Sequence, residues 1–415
     1  MPVSRALDAA GRWSAAVGPT WAEIDLDALA ANVDWVRARL RPGCRLMAVV
    51  KANAYGHGAP EVAAAVVAAG ADALAVSTVA EGLTLREAGI AAPILVLTPA
   101  RPPALEAALA LDLMLTVADI EGARAVARSA RRAGVCALAH VKCDTGMGRY
   151  GFLPQALPST AAALLALGGD VRWEGVYTHL ARGGDAAASG RQLERFLSAL
   201  AGCEAAGLRF PLRHVAASAG WLTLPAAQLD MVRIGSLLYG SIPAGASVSG
   251  LRRAFALRSR VVQVRDLPAG WRVGYGGEWR AERPTRVATL AVGFADGLGL
   301  VPAAPQGRIP VLLRALARVL LRRMGLGRLG GRGAAVGEIW RGPVRLPVLG
   351  RIGMQQVTVA CAATDLSPGD VATVHVPSTA VGMHVARVYL REGKPVCART
   401  GAGYLPFPGP EVAEG

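Results

Sequence analysis

Residues 45–70 read RLMAVVKANAYGHGAPEVAAAVVAAG, and the order of elements in this stretch decides the fold prediction. Residues 45–50 form an apolar run of strand length. Residues 60–69 are typical of a helix, because Pro60 stands where a helix begins and Gly70 where a helix ends. The stretch therefore predicts one strand–loop–helix unit.

The same alternation continues on both sides of this unit. A helix is expected at 25–40, where apolar residues recur on one face, and another at 119–133, which Gly134 ends. Eight strands over about 210 residues fit a closed (β/α)8 barrel, for which about 250 residues is typical. An open, doubly wound sheet remains the structural alternative. The expected strands are 45–50, 73–77, 93–97, 112–117, 135–141, 173–177, 212–216 and 231–234.

From about residue 251 the helical pattern becomes scarce. Short runs bounded by Gly, Pro and Asp indicate a β-rich region. We therefore expect an α/β protein with a barrel over residues 1–250 and a smaller, mostly β domain over 251–415. About the first 25 residues fit either domain. The strands expected in the second domain include 259–264, 285–294, 355–360 and 371–376.

An arginine-rich insertion at about 301–341, with eight Arg and one Glu, interrupts the second domain. A helix is expected over 310–325, with Arg314, Arg318 and Arg322 in one stripe. A solvated insertion is the simpler interpretation. A docking face for an acidic surface or a membrane is the alternative.

Composition and charge limit the class of protein. The 415 residues are 53% hydrophobic and 18% charged, which excludes a generally disordered chain. The net charge is +15, but only three of the 45 basic residues are lysine and the aromatics are dispersed, so nucleic acid is not an expected partner. None of the six cysteines forms a C-x-x-C pair, which argues against a metal cluster. No signal peptide or membrane-spanning run is visible, so a cytoplasmic location is expected.

Lys51 is the first candidate for chemistry, because it directly follows the apolar run at 45–50. Burial disfavours the ammonium form and lowers the pKa, and a neutral amine can attack a carbonyl to form a Schiff base. In a barrel, the active site lies at the carboxyl ends of the strands. A lysine whose ammonium reaches solvent is the alternative. The scarcity of lysine elsewhere favours the functional interpretation.

Residues 50–58 resemble the cofactor-lysine motif of the alanine racemases, a pyridoxal-phosphate-dependent family. The resemblance implies a barrel followed by a β-rich domain, which the apolar pattern also predicts. It further implies an isomerase that interconverts L-alanine and D-alanine and supplies D-alanine for peptidoglycan. Five further segments resemble the family's motifs in the family's order: 140–149 (HVKCDTGMGR), 175–179 (GVYTH), 231–235 (MVRIG), 273–276 (VGYG) and 350–354 (GRIGM).

The resemblance implies two catalytic bases. Lys51 would bind the aldehyde of pyridoxal phosphate and act as the base for the α-proton of D-alanine. Tyr275 would act on L-alanine from the partner subunit of a homodimer, since racemisation needs proton transfer on two opposite faces. A free tyrosine has a pKa near ~10, and His179 and Arg233 would assist it. Taken alone, Tyr275 is typical of a glycine-flanked turn.

The resemblance assigns other residues to the cofactor and the substrate. Arg233 would face the pyridine nitrogen and leave it unprotonated, which favours racemisation over transamination. Arg149 and the backbone of Met354 would hold the substrate carboxylate. Lys142 resembles the family lysine that is often carbamylated and fixes Arg149, and a buried pair with Asp144 is the alternative. No metal is implied. The phosphate is assigned to Tyr55, Ser218, Gly235 and Ser236.

The sequence departs from the family pattern beside the expected site. Phe294 stands where the family has a tyrosine, Gln355 where it has an aspartate, and Ala217 where it has an asparagine. Tyr404 is not a secure counterpart of the C-terminal tyrosine that often contacts the phosphate. Four alternatives stay open: a racemase of other small amino acids, a decarboxylase on the same barrel, a catalytically silent pyridoxal-phosphate carrier, and a basic binding protein.

Overall fold

The computed structural model describes residues 9–300 and 337–407, with side chains from Trp13 onward. The chain divides into two compact units, and each is described by itself. The barrel unit comprises residues 25–254 and 391–393, and the β-rich unit comprises residues 1–24, 255–390 and 394–415. The predicted helix at 310–325 and its arginine stripe lie outside the described residues.

The first described elements are helix Ala9–Val17 and strand β1 (Thr20–Asp25), which are followed by helix Leu26–Arg37 of the barrel unit. Asp25 caps this helix, because its carboxylate accepts a 2.8 Å hydrogen bond from the amide of Ala28. The helix predicted at 25–40 is confirmed, but it ends at Arg37.

The eight strands predicted for the barrel are all present. They are β2 (Arg45–Val49), β3 (Ala73–Val76), β4 (Ile94–Val96), β5 (Leu115–Val117), β6 (Ala137–Lys142), β7 (Val171–Tyr177), β8 (Leu212–Ala217) and β9 (Met231–Ile234). Each pairs with its neighbours in parallel, in the order β4-β3-β2-β9-β8-β7-β6-β5. A parallel bridge between Leu95 and Met114 joins the two ends of this order, so the sheet closes into a barrel.

The burial of these strands agrees with their position in a closed parallel sheet. β3, β4 and β5 are buried along their whole length, as expected for parallel strands covered by helices on one side and packed inside the barrel on the other. One cluster of the barrel interior contains Met47, Val49, Ala75, Leu95 and Met114. The longer helices are Ala59–Ala68, Val79–Glu87, Ala104–Ala110, Ile120–Ala133 and Ala186–Ala205, with short ones at Ala161–Leu165 and Ser218–Thr223.

The strands of the β-rich unit after β1 are β10 (Phe255–Leu267), β11 (Arg272–Val273), β12 (Trp279–Arg280), β13 (Thr285–Leu290), β14 (Glu338–Arg341), β15 (Val344–Leu346), β16 (Val348–Leu349), β17 (Val357–Ala360), β18 (Val371–His375), β19 (Ala386–Arg391), β20 (Lys394–Thr400) and β21 (Gly403–Pro406). The main path of the sheet runs β15-β14-β18-β10-β1-β19-β20-β21. β10 pairs antiparallel with β1, β13 and β18, and the other antiparallel pairs include β14 with β15 and β18, β17 with β13 and β16, and β20 with β21.

One predicted strand of this unit is too long. The run at 285–294 leaves the sheet at Leu290, and Phe294–Asp296 forms a single 3-10 turn. The reason is Asp296, which is buried and whose carboxylate accepts a 2.8 Å hydrogen bond from the amide of Gly293. This local bond offers the backbone an alternative to the strand ladder.

Candidate active site

A cavity of about 310 Å³ lies at the carboxyl ends of the barrel strands. This is the end at which barrel proteins place their sites, and the volume is within the ~300–1,000 Å³ typical of small-molecule pockets. Three basic residues, Lys51, Arg149 and Arg233, line the cavity. The other lining residues are Val49, Tyr55, Leu97, Tyr150, Tyr177, His179, Ala217, Ser218, Ala219, Gly235, Ser236 and Pro243.

Lys51 follows the buried end of β2 and is half-buried. Burial is the largest cause that lowers the pKa of its amine below the ordinary value of 10.5. The positive charges of Arg149 and Arg233 lower the pKa further, whereas the carboxylate of Glu81 raises it. The amine is therefore more easily deprotonated than that of a surface lysine.

The backbone after Lys51 is left-handed at four consecutive residues, none of them glycine. From Ala52 to Tyr55 the φ angles lie between 51° and 53°. Such a conformation costs roughly 1–2 kcal/mol per residue, so other contacts must hold it. Gly56 donates to the carbonyl of Ala52 at 3.0 Å, and the Asn53 side chain accepts from the amide of Ala59 at 2.8 Å. The turn places both Lys51 and Tyr55 on the cavity wall.

Gly235 lines the cavity together with three residues that carry hydroxyl groups, Tyr55, Ser218 and Ser236. Ser218 Oγ accepts a 3.1 Å hydrogen bond from the Gly235 amide, and Ser236 follows Gly235 in the chain. A side chain at Gly235 would not fit, because its Cβ would lie 2.6 Å from the hydroxyl oxygen of Tyr55. The absence of a side chain thus leaves backbone and hydroxyl groups accessible to a ligand.

Arg233 is buried on β9 and donates to several acceptors at once. Its Nη2 atom donates to the carbonyls of Thr178 at 2.7 Å and Val215 at 3.1 Å, and it lies 3.5 Å from Nδ1 of His179. Burial lowers its pKa to about 10, so the guanidinium is still charged at neutral pH. Burial and the positive charge of Arg233 lower the pKa of His179 to about 3.

Beneath Arg233, hydrogen bonds fix the tautomers of two buried histidines. Arg233 Nη1 lies 2.8 Å from Nδ1 of His214, and a guanidinium can only donate, so His214 carries its proton on Nε2. Nε2 of His214 lies 2.9 Å from Nδ1 of His140 and therefore donates to it. His214 was not identified as a site residue from the sequence. The only indication was that His214 and Ala216, two residues apart on a barrel strand, lie on the same face of that strand.

Arg149 is held by a loop that Asp144 organises. The Asp144 carboxylate accepts hydrogen bonds from the amides of Met147 and Arg149 at 2.8 and 3.1 Å, and also from those of Gly146 and Gly148. Lys142 is buried, and its Nζ donates to the carbonyl of Cys143 at 2.7 Å. Burial lowers the pKa of Lys142 to about 8.

Tyr275 and Met354 lie in the β-rich unit, where they line a different cavity of about 810 Å³ together with Arg351 and Gln355. The Tyr275 side chain is 75% exposed and that of Met354 is 62% exposed. The left-handed backbone of Gly274 (φ 76°) precedes Tyr275. Both side chains are therefore available to a partner molecule.

The positions that depart from the family pattern have different surroundings. Ala217 lines the barrel cavity, whereas Phe294 and Gln355 are exposed in the β-rich unit. Tyr404 lies on β21 and is more than half exposed.

Among residues 9–300 and 337–407, no three His, Cys, Asp or Glu side chains are grouped as a metal site would require. Within the same described ranges, no helix is long and apolar enough to cross a membrane.

The fold and the cavity define a class of protein: a parallel barrel with a lysine, arginines and hydroxyl groups at its strand ends, followed by an antiparallel β-rich unit. The family model described as "Alanine racemase, N-terminal domain" matches residues 24–243, and "Alanine racemase, C-terminal domain" matches residues 254–317. The chain belongs to the alanine racemase family.

Individual relatives agree with this assignment. The alanine racemase of Symbiobacterium thermophilum is 44% identical over 71% of this chain and 78% of its own length. That of Syntrophobacter fumaroxidans is 38% identical over 82% of this chain and 83% of its own. Among solved structures, the alanine racemase of Clostridium difficile 630 has a TM-score of 0.80 and 27% identity, over 92% of this chain and 98% of that one. The alanine racemase of Streptomyces lavendulae has a TM-score of 0.74 and 33% identity, over 90% and 97%.

Proposed function

We propose that this protein interconverts L-alanine and D-alanine with pyridoxal phosphate bound covalently to Lys51. The observation that carries the proposal is the half-buried Lys51, which follows β2 and lines a cavity together with Arg149, Arg233 and Ser218. An amine with a lowered pKa is suited to bond the cofactor's aldehyde carbon. Membership of the alanine racemase family supports the same reaction.

The residues of the cavity fit the cofactor. The space at Gly235, which a Cβ would close against Tyr55, is suited to a phosphate bound by Tyr55, Ser218 and Ser236 together with the Gly235 amide. Arg233 is suited to the pyridine nitrogen, because a charged guanidinium donates without losing its proton. When bound, pyridoxal phosphate withdraws electrons from the substrate's α-carbon and makes its proton acidic.

Lys51 and Tyr275 divide the proton transfer between them in this proposal. The Lys51 amine takes or returns the α-proton on the D face. Tyr275 of the partner subunit does so on the L face, because its exposed side chain is free to project into a second copy. Two bases on opposite faces allow either enantiomer to form. The proposal therefore includes a homodimer with shared active sites.

Arg233 favours this reaction over others of the same cofactor. Because its charge persists at neutral pH, Arg233 would keep a pyridine nitrogen bound beside it unprotonated, which would limit electron withdrawal by the ring. A weaker electron sink favours return of the proton to the α-carbon over transamination. His179, whose pKa burial lowers to about 3, stays neutral beside Arg233 and can share a proton.

Arg149 is proposed to bind the substrate carboxylate, together with the backbone of Met354. The exposed guanidinium of Arg149 lines the cavity, and a charge-assisted pair with a carboxylate is favourable there.

Lys142 is proposed to be carbamylated, since burial lowers its pKa to about 8 and only the neutral amine reacts with carbon dioxide. The carbamate would carry a negative charge that attracts Arg149.

The biological setting follows from this activity. We propose that the enzyme acts in the cytoplasm and supplies D-alanine for peptidoglycan.

The test of the function is an absorbance spectrum of the purified protein followed by an assay for D-alanine formed from L-alanine, with L-serine as a second substrate. Absence of a lysine-bound cofactor band would contradict the proposal. A band without turnover would indicate a silent cofactor carrier, in which the changes at Ala217, Phe294 and Gln355 have removed activity.

A further inference from the structure

Glu81 takes part in an ordinary helix cap at the start of helix Val79–Glu87. Its amide donates to Thr78 Oγ1 at 3.2 Å, and its own Oε2 accepts from the amide of Thr78 at 3.2 Å. This reciprocal pair is a capping box, which needs one carboxylate oxygen. The cap alone would give Glu81 a purely structural role.

The same carboxylate makes two shorter hydrogen bonds that the cap does not require. Oε2 also accepts from the amide of Ser77 at 2.6 Å, and Oε1 accepts from the amide of Ala52 at 2.6 Å. Ser77 directly follows β3, and Ala52 directly follows Lys51. One carboxylate therefore ties together the carboxyl ends of two paired strands, β2 and β3.

The contact at Ala52 lies where the backbone most needs support. Ala52 is the first of the four left-handed residues after Lys51, and its own side chain is exposed. No apolar packing of the Ala52 side chain therefore holds this position. An external acceptor for its N–H fixes the direction in which the chain leaves Lys51.

The charge of Glu81 also acts on Lys51, separately from the contact with Ala52. Two guanidinium groups, those of Arg149 and Arg233, act on the Lys51 amine and favour its neutral form, whereas the carboxylate of Glu81 acts in the opposite sense. Glu81 thus offsets part of the positive potential around Lys51. A neutral residue at this position would leave only the arginines.

We propose that Glu81 is a positioning residue for the cofactor lysine, which holds Lys51 in place through the amide of Ala52. The inference rests on the proposed function of Lys51. Both oxygens of Glu81 face N–H groups, so only a carboxylate satisfies both sides. In Glu81→Gln, the amide NH₂ would face backbone N–H groups on one side, so either the bond from Ala52 or both bonds from Ser77 and Thr78 would be lost.

The test compares Glu81→Gln with Thr78→Ala, which removes the hydroxyl half of the cap but no contact with Ala52. Each protein is freed of cofactor and titrated with pyridoxal phosphate while the absorbance of the lysine-bound form is recorded. We expect the Kd for pyridoxal phosphate to rise at least tenfold in Glu81→Gln and less than twofold in Thr78→Ala. Thermal unfolding of the cofactor-free proteins measures the structural cost, which we expect to be similar in both.

Equal Kd values for the two variants would overturn the inference. If Glu81→Gln does not fold, amide hydrogen exchange of wild-type Ala52 decides instead, since the bond to Glu81 requires slow exchange and fast exchange would overturn it. Failure of the proposed function has a different signature, namely a wild-type protein that forms no covalent cofactor bond at Lys51.

Discussion

Nη1 of Arg233 lies 2.8 Å from Nδ1 of His214, and both groups are buried. This contact sets the protonation of the groups beneath the cavity, because the guanidinium cannot accept a hydrogen bond. His214 must be neutral, and the proton on its Nε2 is directed at His140. The two histidines therefore add no positive charge to that of Arg233.

Arg233→Lys is expected to lower the free energy of unfolding of the cofactor-free protein by about 3 kcal/mol. A lysine cannot satisfy His214 and the surrounding carbonyls together, and each buried acceptor left without a donor costs roughly 1–3 kcal/mol. Urea unfolding measures the change. The control is Arg213→Lys, whose partly exposed ion pair with Asp230 is worth about 1 kcal/mol or less. Equal losses in both variants would contradict this account of Arg233.

The buried histidines predict that the cofactor-free protein loses stability in mild acid. Burial, with the charge of Arg233, lowers the pKa of His140 to about 3, below its ordinary value of 6.5. The unfolded chain therefore binds a proton below pH 6.5 that the folded chain does not. The contribution of the neutral histidine to the free energy of unfolding is therefore fully present above pH 6.5 and is lost as the pH falls towards 3. Between pH 6.5 and 5.5 each such histidine removes about 1 kcal/mol from the free energy of unfolding.

The measurement is urea unfolding at both pH values for the wild type and for His140→Asn. Carboxylates titrate mostly below this window, so they contribute little to the difference. The variant is expected to lose about 1 kcal/mol less than the wild type on acidification. The same acid dependence in both proteins would show that His140 is not buried in its neutral form.

Gly235→Ala is expected to raise the Kd for pyridoxal phosphate at least tenfold. The new Cβ would lie 2.6 Å from the hydroxyl oxygen of Tyr55, so the tyrosine must move into the space assigned to the phosphate. Titration of the cofactor-free protein measures the effect. Gly190→Ala is the matched control, because a Cβ there meets nothing within 4 Å, and its Kd should equal that of the wild type. An unchanged Kd in Gly235→Ala would place the phosphate elsewhere.

Tyr275→Phe is expected to remove proton exchange at the α-carbon of L-alanine while exchange with D-alanine continues. The hydroxyl is the proposed base on the L face only, and loss of a general base costs 10²–10⁴-fold in rate. Exchange of the α-proton with deuterated water, followed by NMR for each enantiomer, measures both directions. Equal losses for the two enantiomers would contradict the assignment of opposed bases.

The barrel could be predicted from sequence because the signals for its strands and helices lie within short segments of the chain. Several strands, such as β2, β3 and β4, are mainly apolar runs of strand length, and helix ends are marked by residues such as Asp119, which caps helix Ile120–Ala133, and Gly134, which ends it at a φ of 66°. The strand at 285–294 was predicted too long because a hydrogen bond from Gly293 to Asp296 is invisible in the apolar pattern. The resemblance to the family motifs predicted Lys51, Arg149 and Arg233 as site residues, and all three line the cavity.

Other features depend on contacts between distant segments and gave no local signal. The left-handed turn after Lys51 contains no glycine until Gly56, so nothing in its composition indicates positive φ angles. Glu81 looks like an ordinary capping residue, and only the fold brings its carboxylate to the amide of Ala52. His214 likewise becomes a partner of Arg233 only when β8 and β9 pair.

Lys51 is the proposed attachment site of the cofactor, and the small number of lysines makes this assignment directly measurable. The chain contains only Lys51, Lys142 and Lys394, so reduction of the purified protein with borohydride and mass spectrometry of its peptides identifies the attachment site without ambiguity. We predict a pyridoxyl-phosphate group on the Lys51 peptide and none in Lys51→Ala. Attachment at Lys142 or Lys394, or at no lysine, would contradict the account.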